Sequence, residues 1–589
     1  MPEEETYYGI GVSPGVAIGT GYLFRPDTTA VPQRTITAEQ VEAEYARFRE
    51  ALDASRKQVV SIRERVAREI GEEQAKIFDF QIHIINDTHL AAEVKERLAA
   101  RLQNVEVVFT ESIERYIELL SDIDDELFRE RRTDIRDVRD RILTNLAERR
   151  PRGIEELPFA SVIVAHDIAP SDAAMMERGR VLAFATDLGG RTSHTAIVAA
   201  SLGIPAVVGL HDLSLKVRSG DSLIVDGNRG IVLVNPTEET IEHYNREIFR
   251  IKVFKDELAE IREEVAITTD GHRVVLSANI ELPEELENVR TNGAEGIGLY
   301  RTEFLYMSRD ELPSEEEQYE AYKTIVKGLA PDPVIIRTFD LGGDKFVSHL
   351  DIPFELNPFL GWRAIRFCLE RVDIFKTQLR AILRASVHGN MKLMYPMISS
   401  VDEVVSANAI LDETKEELLR EGVPFNERFE IGAMIEVPSA AMTADIIARE
   451  VDFFSIGTND LIQYTLAVER TNDRIAHLYK PCHPGVLRLI KMTIDAGHEH
   501  NIWVGMCGEM AAWPAIAMLL VGMGIDELST SPIAVPKIKK VIRSIGYADA
   551  VDLAREALNS HQAEKIAEMA AERLRRIVPE LYEHELGSS

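Results

Sequence analysis

One short stretch of the sequence carries residue types suited to phosphoryl chemistry. The run DLGGRTSHTAIVAAS, residues 187–201, places two glycines, Thr192 and Ser193 before a single histidine, His194, where a helix-prone segment begins. Glycine lets the backbone approach a ligand closely, and the free N–H groups of a helix N-terminus bind anions. His194 is therefore a candidate nucleophile for a phosphoryl group. The alternative is an ordinary histidine at a well-capped helix start.

A second set of candidate residues closes strand-like runs in the C-terminal half of the chain. Eight apolar runs alternate, for the most part, with helical stretches. This pattern predicts a (β/α)₈ barrel, whose chemistry lies at the C-terminal ends of the strands. The runs are residues 274–280, 296–304, 334–340, 392–398, 432–438, 453–460, 503–510 and 527–532.

Four arginines and an asparagine are predicted to converge at the mouth of this barrel. Bidentate guanidinium contacts suit a small ligand with several negative charges, such as a phosphorylated carboxylic acid. Taken singly, each arginine has the simpler interpretation of a surface ion pair. The candidate ligand-binding residues are Arg301, Arg337, Arg363, Asn459, Asp460 and Arg470, and Asn279 and Glu509 also close strand-like runs.

Two carboxylates follow consecutive runs of the predicted barrel. Glu436 and Asp460 should therefore lie side by side, as the oxygen ligands that Mg²⁺ prefers, with substrate oxygens and water completing its coordination. Such an ion would neutralise charge on a moving phosphoryl group. The alternative role for each carboxylate is to cap the next helix.

Cys507 ends the seventh strand-like run, in the sequence VGMCGEM. A lone cysteine in an apolar strand is often a small buried hydrophobe. Beside an anionic ligand at a strand end, its thiol is instead a candidate proton donor to a carbanion or enolate.

The elements that must position these residues fall into five segments. Residues 1–36 and 151–235 contain short strands punctuated by glycine and proline, which predicts one α/β domain interrupted by an insert. The insert, residues 37–150, has a charged helical pattern typical of a helical bundle. Residues 236–265 predict a linker helix, and residues 266–589 the barrel. The predicted fold class is thus a multidomain α/β protein ending in a TIM-type barrel.

The composition excludes several classes of protein. The chain of 589 residues has 67 Lys and Arg against 98 Asp and Glu, a net charge of −31 that disfavours binding to nucleic acid or anionic membranes and favours a basic partner. Three cysteines cannot build a disulfide framework, which indicates a reducing compartment. The acidic start lacks the features of a signal peptide, and the apolar run 515–525 is too short to span a bilayer. We therefore expect a soluble cytoplasmic protein.

Several runs resemble one family closely, in order and over nearly the whole chain. That family is enzyme I of the bacterial phosphoenolpyruvate-dependent sugar phosphotransferase system. The matching runs are GGRTSHTAIVAASLGIPAVVG, GIGLYRTEFLYM, IIRTFDLGGDK, NPFLGWRAIR, IEVPSA, FFSIGTNDLIQYTLAVER and GMCGE.

The resemblance implies a role for each candidate residue. His194 would be phosphorylated, on Nε2, and Cys507 would protonate the departing enolate of pyruvate. Glu436 and Asp460 would hold Mg²⁺. Phosphoenolpyruvate would be bound by Arg301, Arg337, Arg363, Asn459, Asp460 and Arg470. The helical insert would dock a small histidine-containing phosphocarrier protein, the barrel would form a homodimer, and a swivelling α/β domain would carry His194 between the two sites.

Two other functions share parts of this pattern. A pyruvate phosphate dikinase or phosphoenolpyruvate synthase has the same phosphohistidine and barrel motifs but needs a nucleotide-binding domain, and no Gly-rich phosphate loop is evident here. A non-catalytic signalling paralogue would bind partners through the acidic insert. The intact set of catalytic residue types argues against that second alternative.

Overall fold

The structure is a computed structural model in which the chain divides into two compact units, Met1–Ile251 and Lys252–Ser589. It describes every residue outside the following positions: 1–3, 25–32, 70–74, 122–125, 148–159, 170–171, 174–175, 177–178, 191–195, 197–198, 200–201, 307–310, 342–356, 471, 473 and 586–589.

The first unit contains an eight-stranded mixed sheet. Four strands, β3 to β6, lie parallel and adjacent, and the other four extend the sheet by antiparallel pairing in the order β1-β8-β7-β3-β4-β5-β6-β2. The central strands are buried on both faces, which explains their continuous apolar sequence. The strands are β1 Glu5–Tyr8, β2 Ile10–Ser13, β3 Val16–Leu23, β4 Ser161–Ala165, β5 Val181–Thr186, β6 Ala206–Val208, β7 Ser222–Asp226 and β8 Ile231–Val234.

A helical insert separates β3 from β4 along the chain. Its helices bury apolar side chains at helical spacing, among them Phe48, Phe78 and Phe109, and so form a core of their own. The helices are α1 Val41–Glu69, α2 Ile77–Ile85, α3 Thr88–Arg101, α4 Val105–Ser121 and α5 Glu126–Leu146. The predicted α/β domain with a helical insert is therefore confirmed.

After the short helix α6, Leu213–Lys216, and strands β7 and β8, a long helix follows. This helix, α7, spans Glu238–Glu260 and contains the boundary between the two compact units. Thr237 lies just before it, and its side-chain oxygen accepts a hydrogen bond from the N–H of Thr240 at 3.2 Å. A helix lies within the segment that was predicted as a linker helix, and its role as a linker stays a prediction. The exact domain boundaries drawn from the sequence remain predictions.

The second unit is a closed barrel of eight parallel strands, as the sequence predicted. Nearly every strand residue is buried, because side chains fill the barrel interior on one face and meet the surrounding helices on the other. The strands are β9 Val275–Ile280, β10 Ile297–Tyr300, β11 Val334–Arg337, β12 Met391–Tyr395, β13 Ile431–Ile435, β14 Phe453–Ile456, β15 Trp503–Met506 and β16 Glu527–Thr530.

The helices of this unit cover the outside of the barrel and continue beyond the last strand. They are α8 Leu286–Thr291, α9 Glu315–Leu329, α10 Ile365–Glu370, α11 Val372–Ala385, α12 Val401–Glu421, α13 Pro438–Met442, α14 Ala444–Ile447, α15 Thr458–Leu466, α16 Pro484–Glu499, α17 Pro514–Met523, α18 Val535–Ser544, α19 Tyr547–Asn559, α20 Ala563–Ile577 and α21 Pro579–Glu585. Within the described part of the chain, no helix has the length and apolarity needed to cross a bilayer.

A buried lysine contacts the chain segments that precede strands β9 and β10 of the barrel. Lys539 on α18 is only 1% exposed, and its Nζ donates hydrogen bonds to the carbonyl oxygens of Arg262 and of Gly293, the latter at 2.8 Å. Burial lowers the pKa of Lys539, since the charged form loses its hydration. The two carbonyl contacts compensate part of that loss.

We expect Lys539→Met to lower the free energy of unfolding of the barrel by about 2 kcal/mol, because two buried carbonyls lose a charged donor. Urea unfolding measures the effect. Lys540→Met is the matched control: this neighbour is partly exposed and pairs with Glu257 at 2.9 Å, so its loss should cost less than about 1 kcal/mol. Equal losses in the two variants would show that the buried contacts of Lys539 contribute no more stability than the partly exposed ion pair of Lys540.

Candidate active site

The barrel brings its eight predicted site residues to one cavity at the C-terminal ends of the strands. The cavity has a volume of about 190 Å³, which suits a small ligand. Eight lining residues were predicted from the sequence: Arg301, Arg337, Arg363, Glu436, Asn459, Asp460, Arg470 and Cys507.

Strand ends account for most of these positions. Arg301, Glu436 and Cys507 are each the first residue after a strand, and Arg337 is the last residue of β11. Because the strands are parallel, their C-terminal ends meet at the same rim of the barrel. Asn459 and Asp460 lie instead in the first turn of helix α15, and Arg363 and Arg470 in the loops beyond β11 and α15.

The guanidinium of Arg337 is held by two buried carboxylates. Its Nη2 donates to Glu303 Oε1 at 2.6 Å, and its Nη1 lies 2.9 Å from Asp340 Oδ2. Burial alone would lower the pKa of Arg337, but the charges of Glu303 and Asp340 raise it above its ordinary value. The arginine is therefore a fixed positive charge with a defined orientation.

Asp340 also contacts a second arginine. Its Oδ1 accepts a hydrogen bond from Arg363 Nη2 at 2.9 Å, while its other oxygen faces Arg337. Arg363 Nη1 lies 3.6 Å from Asp460 Oδ1. Burial opposes the positive charge of Arg363, but Asp340 and Asp460 raise its pKa above the usual value. One carboxylate thus fixes the distance between two cationic side chains of the cavity.

Both buried arginines keep an unused donor. The Nε atoms of Arg337 and Arg363 are buried and have no hydrogen-bond partner among the described residues. An unsatisfied buried N–H is costly unless a ligand accepts from it. The two guanidinium groups are therefore not fully hydrogen-bonded within the described part of the chain.

The two predicted metal ligands sit in the same cavity in a buried setting. Glu436 is 1% exposed, and its Oε1 accepts a hydrogen bond from the N–H of Met397 at 2.6 Å. Burial, and then the negative charges of Asp460 and Asp340, raise the pKa of Glu436 well above its ordinary value. Burial likewise raises the pKa of Asp460. These carboxylates repel each other, so a divalent cation between them would be stabilising.

The backbone at Gly457 leaves room for this arrangement. A Cβ on Gly457 would lie 2.5 Å from Glu436 Oε2. A larger residue there would displace the carboxylate. Among the described residues, no group of three or more His, Cys, Asp and Glu side chains forms a complete metal site. A cation here would thus need oxygens from a bound ligand as well, which is the usual situation for Mg²⁺.

Asn459 and Arg470 are both bound to one glutamate. Asn459 Nδ2 donates to Glu509 Oε1 at 3.0 Å, and Arg470 Nη1 donates to the same oxygen at 3.1 Å. The N–H of Glu509 donates in turn to Asn459 Oδ1 at 3.1 Å. Glu509 is itself a lining residue of the cavity.

Cys507 lines the cavity with a protonated thiol. Its side chain is 4% exposed, and burial raises its pKa to about 11. Its carbonyl accepts a hydrogen bond from Asn279 Nδ2 at 2.9 Å. Asn279, which also closes a strand, therefore supports the loop after β15 and is not among the lining residues.

Three family profiles match successive parts of this chain. The N-terminal domain of PEP-utilising enzymes matches residues 8–131, the mobile domain residues 157–230, and the PEP-binding domain residues 255–547. The chain is 45% identical over 564 residues to the phosphoenolpyruvate-protein phosphotransferase of Listeria innocua, covering 95% of this chain and 98% of that protein. The chain belongs to the phosphoenolpyruvate-protein phosphotransferase family.

Other members are similar to the same degree. The Haemophilus influenzae phosphoenolpyruvate-protein phosphotransferase is 45% identical over 564 residues, covering 96% of this chain and 98% of its own length. Among solved structures, a solution structure of Enzyme I (nEIt) is 38% identical, with 42% of this chain covered, 99% of that chain covered and a TM-score of 0.36. The predicted resemblance is confirmed, and this phosphoenolpyruvate-protein phosphotransferase is an enzyme of the class the sequence indicated.

The candidate nucleophile of this phosphotransferase, His194, lies outside the described residues, as do Thr192 and Ser193. The preceding loop is described. Asp187, which follows strand β5, is 2% exposed and accepts hydrogen bonds from the N–H of Ser214 at 2.9 Å and from its hydroxyl at 2.5 Å. His166, after β4, lies 3.1 Å from Asp187 through Nδ1. These contacts hold the loop that leads to His194.

Sequence reasoning missed the two carboxylates that hold the arginines of this phosphotransferase. Glu303 and Asp340 follow Arg301 and Arg337 within the runs YRTEF and RTFD. An acidic residue two or three positions after a strand-end arginine was the available signal. It is weak, because carboxylates near strand ends commonly cap helices.

Proposed function

We propose that this protein transfers the phosphoryl group of phosphoenolpyruvate to His194, and from there to a histidine of a small histidine-containing phosphocarrier protein. Pyruvate is the other product, and the reaction is the first step of sugar uptake by a phosphotransferase system. The observation that carries this proposal is that four arginines, four carboxylates and a thiol line one cavity of the barrel.

The cavity suits phosphoenolpyruvate because several guanidinium groups line it. Its lining holds Arg301, Arg337, Arg363 and Arg470, and equal numbers of acidic side chains accompany them. Arg337 and Arg363 are oriented by their contacts with Asp340, and all four guanidinium groups line the cavity. A phosphate and a carboxylate on one small molecule would accept from these groups at the same time.

Glu436 and Asp460 fit Mg²⁺, because they are a buried and a half-buried carboxylate whose mutual repulsion a divalent cation would relieve. When bound, Mg²⁺ neutralises negative charge on the transferring phosphoryl group. The arginines share that task, since their positive charges are already in place before the reaction begins.

The side chains then have separate tasks in the transfer. An imidazole nitrogen of His194, proposed as Nε2, attacks phosphorus, so that the N–P bond forms while the bond to the enol oxygen breaks. The electron pair of that bond leaves with the enolate of pyruvate. The thiol of Cys507 donates its proton to the enolate carbon, and solvent later restores the proton.

The remaining domains have proposed roles in delivery. Residues 37–150 would dock the phosphocarrier protein, and residues 266–589 would form a homodimer. The linker, residues 236–265, would allow the α/β domain of residues 1–36 and 151–235 to carry His194 between donor and acceptor. We propose a cytoplasmic location, supported by three cysteines that are all free.

The test is acid-labile labelling of the purified protein by ³²P-phosphoenolpyruvate with Mg²⁺. We expect one labelled histidine, complete loss of label in His194→Ala, and retention of label in His243→Ala, the matched control, because His243 is an exposed histidine of the same compact unit. Transfer of label to a phosphocarrier protein completes the test. Normal labelling of His194→Ala would overturn the assignment, and a requirement for ATP or AMP would favour a dikinase or synthase.

A further inference from the structure

One carboxylate in the cavity occupies two groups that the proposed function assigns to the substrate. Glu509 Oε1 accepts hydrogen bonds from Asn459 Nδ2 at 3.0 Å and from Arg470 Nη1 at 3.1 Å. An amide N–H and a guanidinium N–H therefore converge on a single anionic oxygen. The same two donors would bind an oxygen of an anionic ligand equally well.

The geometry points to Glu509 as an internal competitor of the substrate. We propose that its carboxylate fills the position of a ligand oxygen in the free enzyme, that phosphoenolpyruvate must displace it, and that Glu509 thereby sets the affinity of the cavity. This inference rests on the proposed function, since it takes phosphoenolpyruvate to be the ligand that Asn459 and Arg470 bind.

The exposure of the pair makes displacement feasible. The side chains of Arg470 and Glu509 are 49% and 66% exposed, whereas those of Arg337 and Glu303 are 8% and 4% exposed. An exposed ion pair is worth little, because water solvates both charges when they separate. A buried pair, by contrast, is costly to break. In this cavity Arg470 can therefore exchange Glu509 for a ligand, whereas Arg337 cannot exchange Glu303.

The backbone of Glu509 explains how the side chain can leave without disturbing the site. Its N–H donates to Asn459 Oδ1 at 3.1 Å, a contact that does not involve the carboxylate. Asn459 therefore keeps its orientation when the carboxylate swings out to solvent. After the reaction, the returning carboxylate would compete with the product for the same donors and favour its release.

Population arithmetic gives the size of the effect. If the ion pair of Arg470 with Glu509 is favoured by the free energy typical of exposed ion pairs, only a fraction of molecules have Arg470 free to bind the ligand. The apparent affinity for the ligand is then lower than the intrinsic affinity by that fraction. Removing the charge of Glu509 should therefore strengthen phosphoenolpyruvate binding by about two- to sixfold.

The experiment is calorimetric titration of phosphoenolpyruvate with Mg²⁺ into the full chain carrying His194→Ala, so that no phosphoryl transfer follows binding. We expect Glu509→Gln and Glu509→Ala each to lower the dissociation constant about two- to sixfold. Glu572→Gln is the matched control, because it removes the same charge from an exposed pair with Arg575 at 3.0 Å, outside the lining of the cavity. It should leave the dissociation constant unchanged.

A second variant, Arg470→Met, distinguishes competition for Arg470 from the general effect of removing a negative charge. In an Arg470→Met variant the carboxylate has lost its charged partner and keeps only Asn459, so adding Glu509→Gln should give a smaller gain than it gives alone. Unchanged or weaker binding in Glu509→Gln alone would overturn this inference, and weaker binding would show that Glu509 orients Arg470 for the ligand. If phosphoenolpyruvate binds to none of the variants and labels no histidine of the unmodified chain, the proposed function fails as well.

Discussion

Arg337→Lys is expected to lower kcat/KM for phosphoenolpyruvate by about 10³-fold. The guanidinium of Arg337 spans two buried carboxylates, Glu303 at 2.6 Å and Asp340 at 2.9 Å, and lines the cavity. An ammonium group is a single point charge, so it cannot bind both carboxylates in this way and also face the ligand. The variant retains the positive charge, so a large loss would show that the planar geometry of the arginine matters.

The measurement is steady-state pyruvate release with Mg²⁺ and a phosphocarrier protein over a range of phosphoenolpyruvate concentrations. Arg273→Lys is the matched control, since Arg273 pairs with Glu295 at 2.7 Å and does not line the cavity. Urea unfolding checks that Arg337→Lys still folds. A kcat/KM within about threefold of the unmodified protein would mean that Arg337 does not contact the reacting phosphoryl group.

The barrel could be predicted because its signal is local. Each of the eight predicted runs overlaps one observed strand, and the polar residue that follows most of these strands is visible in the sequence. The observed strands are shorter than the predicted runs: run 296–304 gives only Ile297–Tyr300. The ladder stops there because Arg301 and the following residues turn toward the cavity and form a 3₁₀ helix at Glu303–Leu305.

The partners inside the site could not be predicted in the same way. Which carboxylate binds which arginine depends on where two separate loops meet in space, as with Arg363 and Asp340, which are 23 positions apart. Asn279 shows the opposite error. Its position at a strand end suggested the cavity, but its amide is used by the carbonyl oxygens of Cys507 and Ser529. Strand ends predict the rim, and only packing decides which side chains face the ligand.

Cys507→Ala is expected to lower kcat for pyruvate formation by about 10²- to 10⁴-fold, with little change in phosphoenolpyruvate binding. The thiol lines the cavity, and burial raises its pKa to about 11, so the group keeps its proton at neutral pH. Because the shift is upward, the acid form is present below that pKa and is lost only as the pH rises through it. Thiol ionisation should therefore not reduce the rate between pH 7 and 9.

The decisive measurement is the chirality of the pyruvate methyl group formed in ²H₂O from phosphoenolpyruvate that is stereospecifically tritiated at C3. A thiol fixed on one side of the enolate delivers the deuteron to one face, whereas an enolate that escapes from Cys507→Ala is deuterated by solvent on both faces. Cys482→Ala is the matched control, because Cys482 is also buried, at 6% exposure, but does not line the cavity. If Cys507→Ala kept both its kcat and its facial selectivity, another group would have to be the acid. The fixed arginines would then stabilise the enolate without directing its protonation.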